Sequence, residues 1–179
     1  PADVAGCQGS PWGYGWDTWE ADLFAPAAKL LAAAPWVVAR GNHEECRRAG
    51  QGWFRFLDAA PFAEKRSCND AADDPIGNFT PPYAVPLAAD LQLIVFDSAV
   101  AGGAALDLTK PRDARTFAEY RAQFATVDAL AGKAGVSSIF INHHPILGYG
   151  TDEKLRLVKG NPALLSAMKV LHPPSYYPS

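Results

Sequence analysis

The chain has 179 residues, 49% of them hydrophobic and 20% charged, with a formal net charge of −3. That is ordinary globular composition at a length that suits a single domain over 1–179, and a compact chain of this size buries roughly 70% of its unfolded surface. A mildly acidic chain has no general attraction for nucleic acid or an anionic membrane, and its longest apolar runs fall far short of the ~20 residues that cross a bilayer.

Residues 1–15, PADVAGCQGSPWGYG, read as a Pro/Gly-rich loop. Asp17 then opens a helical pattern, with Glu20 three residues on as its capping-box partner. Trp16, Trp19, Leu23, Leu30 and Ala34 fall near one face of it. Pro26 is expected to kink or split this helix near Phe24, and Pro35 to end it. Trp36 to Ala39 is a short continuous apolar run, the pattern of a fully buried strand. It leads directly into the polar stretch RGNHEEC. Residues 51–60 predict a short helix carrying Trp53, Phe54 and Leu57, and residues 64–82 a long loop rich in turn residues.

Tyr83 to Leu87 reads as a strand, edge-like because of Pro86. Leu91 to Phe96, LQLIVF, reads as a second, and Asp97-Ser98 ends it. Thr116 and Glu119 form another capping box, and Phe117, Tyr120, Phe124, Val127 and Leu130 recur at helical spacing, so 116–131 is a helix. Val136 to Ile141 is a strand that runs into NHHP. Gly148-Tyr149-Gly150 reads as a loop, and Asn161-Pro162 as the start of a last helix. Helices alternate with strands, so the class is α/β.

Two strands thus end in histidine-bearing turns, at the place where open α/β sheets build their sites. In GNHE, Gly41 permits a tight exit from the strand, Asn42 offers an amide oxygen, His43 an imidazole, and Glu44 a carboxylate that can orient it. A plain strand-end turn uses Gly and Asn as well. In INHHPI, two adjacent histidines, His143 and His144, point in different directions ahead of a stiffening Pro145. Only four histidines exist in the chain, and three of them stand at strand exits.

GNHE at 41–44 and NHHP at 142–145, each after a strand and with a helix and strands between them, resemble the calcineurin-like metallophosphoesterase superfamily, which includes the purple-acid-phosphatase-like enzymes. Asn142 stands where glycine is usual. The resemblance implies a four-layer αββα sandwich with two mixed β-sheets. It also implies a dinuclear centre of two divalent or trivalent ions (iron, manganese or zinc), which suit mixed nitrogen and oxygen donors, and hydrolysis of a small-molecule or protein phosphoester by a bridging hydroxide. Asn42 and His143 would be ligands of one metal. His43 would protonate the leaving group, a task for which imidazole needs little tuning. Glu44 and His144 would stand behind the ligands or touch substrate. His172, in LHPP, matches no motif of the family.

The sequence departs from the family in lacking D-x-H and G-D-x-x before residue 41 and G-H-x-H after residue 144. Two ligands do not hold a dinuclear centre. Both ends also read as cut, so the expectation is an internal fragment of the catalytic domain, incomplete at both ends and inactive alone. A non-catalytic relative that serves as a binding or scaffolding module is the alternative. A small zinc site of His43, Glu44 and Cys46 is a third reading, though it lacks a fourth ligand. Ser98 has no G-x-S-x-G around it, so it reads as a strand-end turn rather than a nucleophile.

There are three cysteines and no C-x-x-C. Cys46 and Cys68 flank one long polar excursion and can close it as a disulfide; three free buried thiols are the other reading. The paired reading leans towards a periplasmic or secreted protein and leaves Cys7 without a partner.

Overall fold

The computed structural model describes residues 15–61, 66–146, 148–151 and 154–168. Cys7, Trp12 and His172 lie outside the described residues. The chain divides into two compact units, one up to Thr80 and one from Pro81 onward. The class is mixed α/β, as the alternating pattern requires.

The first unit opens with α1 (Trp16–Trp19), a π-helical segment (Glu20–Phe24) and α2 (Ala25–Ala33), which follow one another without a break. The expected disruption near Phe24 therefore takes the form of a widened turn. Pro26 has no N–H, and its ring crowds the carbonyl four residues back; a π turn just ahead of it, closed by Ala25 N–H to Glu20 O, relieves both. The capping box at Asp17 is not formed. Gly15 is the N-cap, no side chain caps the helix, and Asp17 lies within the first turn, where its charge still favours the amide end. Trp16, Phe24 and Phe56 gather around one another: Trp16 and Phe24 stack at 5.1 Å, and Phe56 meets Trp16 edge-on at 5.7 Å.

The strand expected over 36–39 is absent. Residues 35–41 hold no regular secondary structure, because a strand exists only through its ladder to a neighbour, and no described strand pairs with it. Trp36 is instead half exposed and donates its indole N–H to Leu30 O at 3.1 Å. Val38 packs on a small core of Cys46, Trp53, Phe54 and Cys68. The short helix predicted over 51–60 is α3 (Gly50–Phe56), and the long loop that follows contains one further turn of helix, α4 (Asp74–Gly77).

The second unit is built on a three-stranded sheet in the order β1-β2-β3. β1 (Tyr83–Ala88) pairs antiparallel with β2 (Leu91–Val95), with an irregularity between Pro86 and Ala88. Pro86 thus sits on an edge strand, where its missing N–H is tolerated. β2 pairs in parallel with β3 (Ser137–Ile141), Leu91 opposite Ser137 and Val95 opposite Ile141. The crossover between them is α5 (Pro111–Ala131). This helix starts five residues earlier than the sequence predicts. Pro111 occupies the first position, as its fixed φ favours, so Thr116 lies inside the helix and caps nothing.

Phe96, fully buried just beyond β2, stacks on Phe124 at 4.9 Å and Tyr120 at 5.9 Å from α5, and meets Phe140 of β3 at 5.6 Å. The first three residues of β3 are exposed, Ile139 by about half. The segment after NHHP, expected as loop, forms a small hairpin of β4 (Tyr149–Thr151) and β5 (Leu157–Lys159). α6 (Pro162–Met168) begins where Asn161-Pro162 predicts: Asn161 Oδ1 accepts Leu164 N–H at 3.0 Å. Among the described residues no helix is long and apolar enough to cross a membrane.

Candidate functional site

The GNHE turn belongs to the first unit, and its frame is set by Arg40, which is 1% exposed. Arg40 Nε donates to Glu44 O at 2.8 Å, and Nη1 donates to Gly77 O at 2.8 Å. The guanidinium also lies over the Phe54 ring, 5.2 Å from its centroid, so a buried charge is met by two carbonyl dipoles and a π face. Glu44 N–H donates to Gly41 O, and the Glu44 carboxylate accepts Gly41 N–H, both at 3.1 Å. Glu44 was expected to orient His43; its carboxylate instead closes the turn on itself. His43 O accepts Ala49 N–H, which links the turn to the start of α3. The His43 side chain is exposed and Asn42 is half-buried.

The loop after α3 holds this turn from outside. Cys46 and Cys68 form a disulfide, which removes the zinc reading of His43, Glu44 and Cys46, since a bridged sulfur is no thiolate ligand. Asn78 Oδ1 accepts Cys46 N–H at 2.8 Å, and the buried Gln51 Oε1 accepts Cys68 N–H at 2.8 Å. Gly77 is required here: a Cβ would lie 2.4 Å from Ser67 O and 2.8 Å from Cys46 Sγ. An apolar groove of about 330 Å³ between Trp19, Leu23, Val38, Trp53 and Leu57 is also lined by Glu44, but neither Asn42 nor His43 reaches it.

The NHHP turn belongs to the second unit, directly after β3. It is held by Ser98, three residues beyond the end of the neighbouring parallel strand β2. Ser98 Oγ accepts His144 N–H at 2.9 Å and His143 N–H at 3.2 Å, and Ser98 O pairs with His144 Nδ1 at 2.8 Å. Asn142 Nδ2 donates to His144 O and closes the turn. The two imidazoles stand edge-to-face, 4.7 Å between centroids. His143 is exposed and His144 half-buried. Burial holds the His144 pKa below the ordinary imidazole value; the Ser98 carbonyl works against this, and the His143 charge reinforces it.

Asn42, His43 and Glu44 therefore share one rigid turn, and His143 and His144 share another, in different units. Among the described residues no group of three or more His, Cys, Asp or Glu side chains gathers as a metal site would require. The donors fit a mixed oxygen and nitrogen site in kind, an amide oxygen and an imidazole nitrogen, and fall short of it in number. Sequence reading missed Arg40, Gln51, Asn78 and Ser98 as the supports of these turns. Arg40 was the most visible of them, as a charge directly at the end of an apolar run. Ser98 makes its contacts across 45 and 46 residues of sequence, where no local pattern reports them. No model of a known family, no curated protein and no solved structure matches the chain.

Proposed function

We infer that this chain carries part of the site of a metal-dependent phosphoesterase. The observation that supports it best is the parallel β2–α5–β3 crossover. It ends at the position where α/β sheets place their sites, and there NHHP is clamped by Ser98 rather than left as a solvated turn. The finer architecture, a four-layer sandwich with two mixed sheets, belongs to the same reading. Additional strands would cover Ile139 on β3 and pair with residues 35–41.

In this reading Asn42 Oδ1 and one ring nitrogen of His143 would each serve as a metal ligand, and a dinuclear centre would need further ligands besides these two. Such a centre, when bound, supplies a hydroxide at neutral pH and neutralises charge on the phosphoryl oxygens. The chain's own residues do the rest. Arg40 and Glu44 keep the GNHE turn rigid, so that the Asn42 oxygen is presented without reorganisation. His43, exposed at the tip, delivers a proton to the leaving oxygen. Burial disfavours the charged form of His144 beside the proposed ligand His143.

The test is metal binding by the purified chain. Titration with Mn2+ or Zn2+ is expected to show weak binding that Asn42→Ala and His143→Ala each reduce by about tenfold or more, on the order of a lost ligand contact. Binding that both variants leave unchanged would remove the basis of the assignment.

A further inference from the structure

Ser98 is fully buried, and the phosphoesterase reading gives its side chain no part in the chemistry. Its hydroxyl oxygen receives two successive backbone N–H groups, His143 at 3.2 Å and His144 at 2.9 Å. Consecutive N–H groups that converge in this way form a concavity that ordinarily attracts an anion. Here the segment just beyond β2 fills it with a neutral oxygen, Ser98 Oγ. Ser98 O also accepts Ala101 N–H at 3.0 Å, which keeps the serine itself in place. The same carbonyl pairs with His144 Nδ1 at 2.8 Å. A carbonyl only accepts, so Nδ1 carries the hydrogen, and the lone pair of the neutral ring is on Nε2.

We propose that Ser98 is the positioning residue of the histidine pair: its hydroxyl pins the backbone of His143 and His144, and its carbonyl selects the Nδ1–H tautomer of His144. The pinned backbone keeps the two rings edge-to-face. His143 is thereby held for a metal, while His144 offers Nε2 as a hydrogen-bond acceptor beside it. The part concerning metal rests on His143 being a ligand; the pinning and the tautomer do not.

The experiment is nitrogen NMR of the 179-residue chain, metal-free and then with Mn2+ as the probe. In the wild type, His144 is expected as the Nδ1–H tautomer, and the His143 and His144 amides are expected to be protected from exchange. Ser98→Ala removes the hydroxyl oxygen that accepts both N–H groups. It is expected to speed exchange of both amides about tenfold or more and to weaken Mn2+ broadening of His143 about tenfold. Ser98→Thr keeps the oxygen and is expected to restore both.

An Nε2–H tautomer of His144 in the wild type would overturn the proposal, and this measurement stands even if Ser98→Ala does not fold. Unchanged amide protection in a folded Ser98→Ala chain would overturn it too. Wild-type His143 that is untouched by Mn2+ would overturn the metal-holding role and with it the proposed function. The tautomer and the amides would still decide what Ser98 does.

Discussion

The His144 ring shows burial outweighing a hydrogen bond in the balance between its two protonation states. Desolvation disfavours its charged form more than the Ser98 carbonyl favours it, so its folded pKa lies below the ordinary 6.5. The unfolded chain therefore binds a proton that the folded chain resists. The stability contributed by the neutral ring is fully present above about pH 6.5 and is lost as the pH falls from there towards the lowered folded value. Urea midpoints of the metal-free second unit, followed through its β2 and α5 amides, should drop across that window in the wild type. They should drop less in His144→Asn, whose amide can still donate to Ser98 O but does not titrate. Parallel pH profiles for the two proteins would mean that the ring is not held neutral in the fold.

The segment between α3 and β1 is described by its sequence as loop, and in the structure it works as a brace. Its fixed points are the disulfide, the Arg40 bond to Gly77 O, the Asn78 bond to Cys46 N–H and the Gln51 bond to Cys68 N–H. The bridge closes a sequence separation of 22 residues, for which the chain-entropy account gives about 3 kcal/mol. The double variant Cys46→Ser/Cys68→Ser is therefore expected to lose about 3 kcal/mol in denaturant unfolding of the first unit. A loss well under about 1 kcal/mol would show that Arg40, Gln51 and Asn78, which contribute about that much per hydrogen bond, hold the loop without it. The π segment ahead of Pro26 is the other element-level device. It lets one helical rod pass a proline without breaking, which a pattern of apolar positions cannot distinguish from a kink.

At the scale of the molecule, the chain supplies two metal ligands in that reading, too few for a dinuclear centre. The purified 179-residue chain is expected to leave an aryl phosphate unhydrolysed in the presence of Mn2+ or Zn2+. Robust turnover that a chelator abolishes would show that these residues suffice. Much of the fold was legible where a signal is local. LQLIVF and VSSIFI declared β2 and β3 through β-branched runs, and Phe117, Tyr120, Phe124 and Val127 declared the body of α5. What was not legible depends on partners distant in sequence. Trp36 to Ala39 has the composition of a buried strand and no described strand beside it. Thr116 and Glu119 fit a capping box that Pro111 pre-empts one and a half turns earlier. At the candidate site, GNHE and NHHP named their own residues. The atoms that hold them, Arg40 on Gly77 and Ser98 on the histidine pair, come together only through the fold.

The division near Thr80 also has an optical consequence. All five tryptophans of the chain, the last of them Trp53, fall in the first unit, and none follows Thr80. Excitation at the red edge of indole absorption therefore reads the first unit alone, whereas far-ultraviolet ellipticity draws on helices of both. Superimposable melting curves from the two signals would mark one cooperative block, and displaced curves two that come apart in turn.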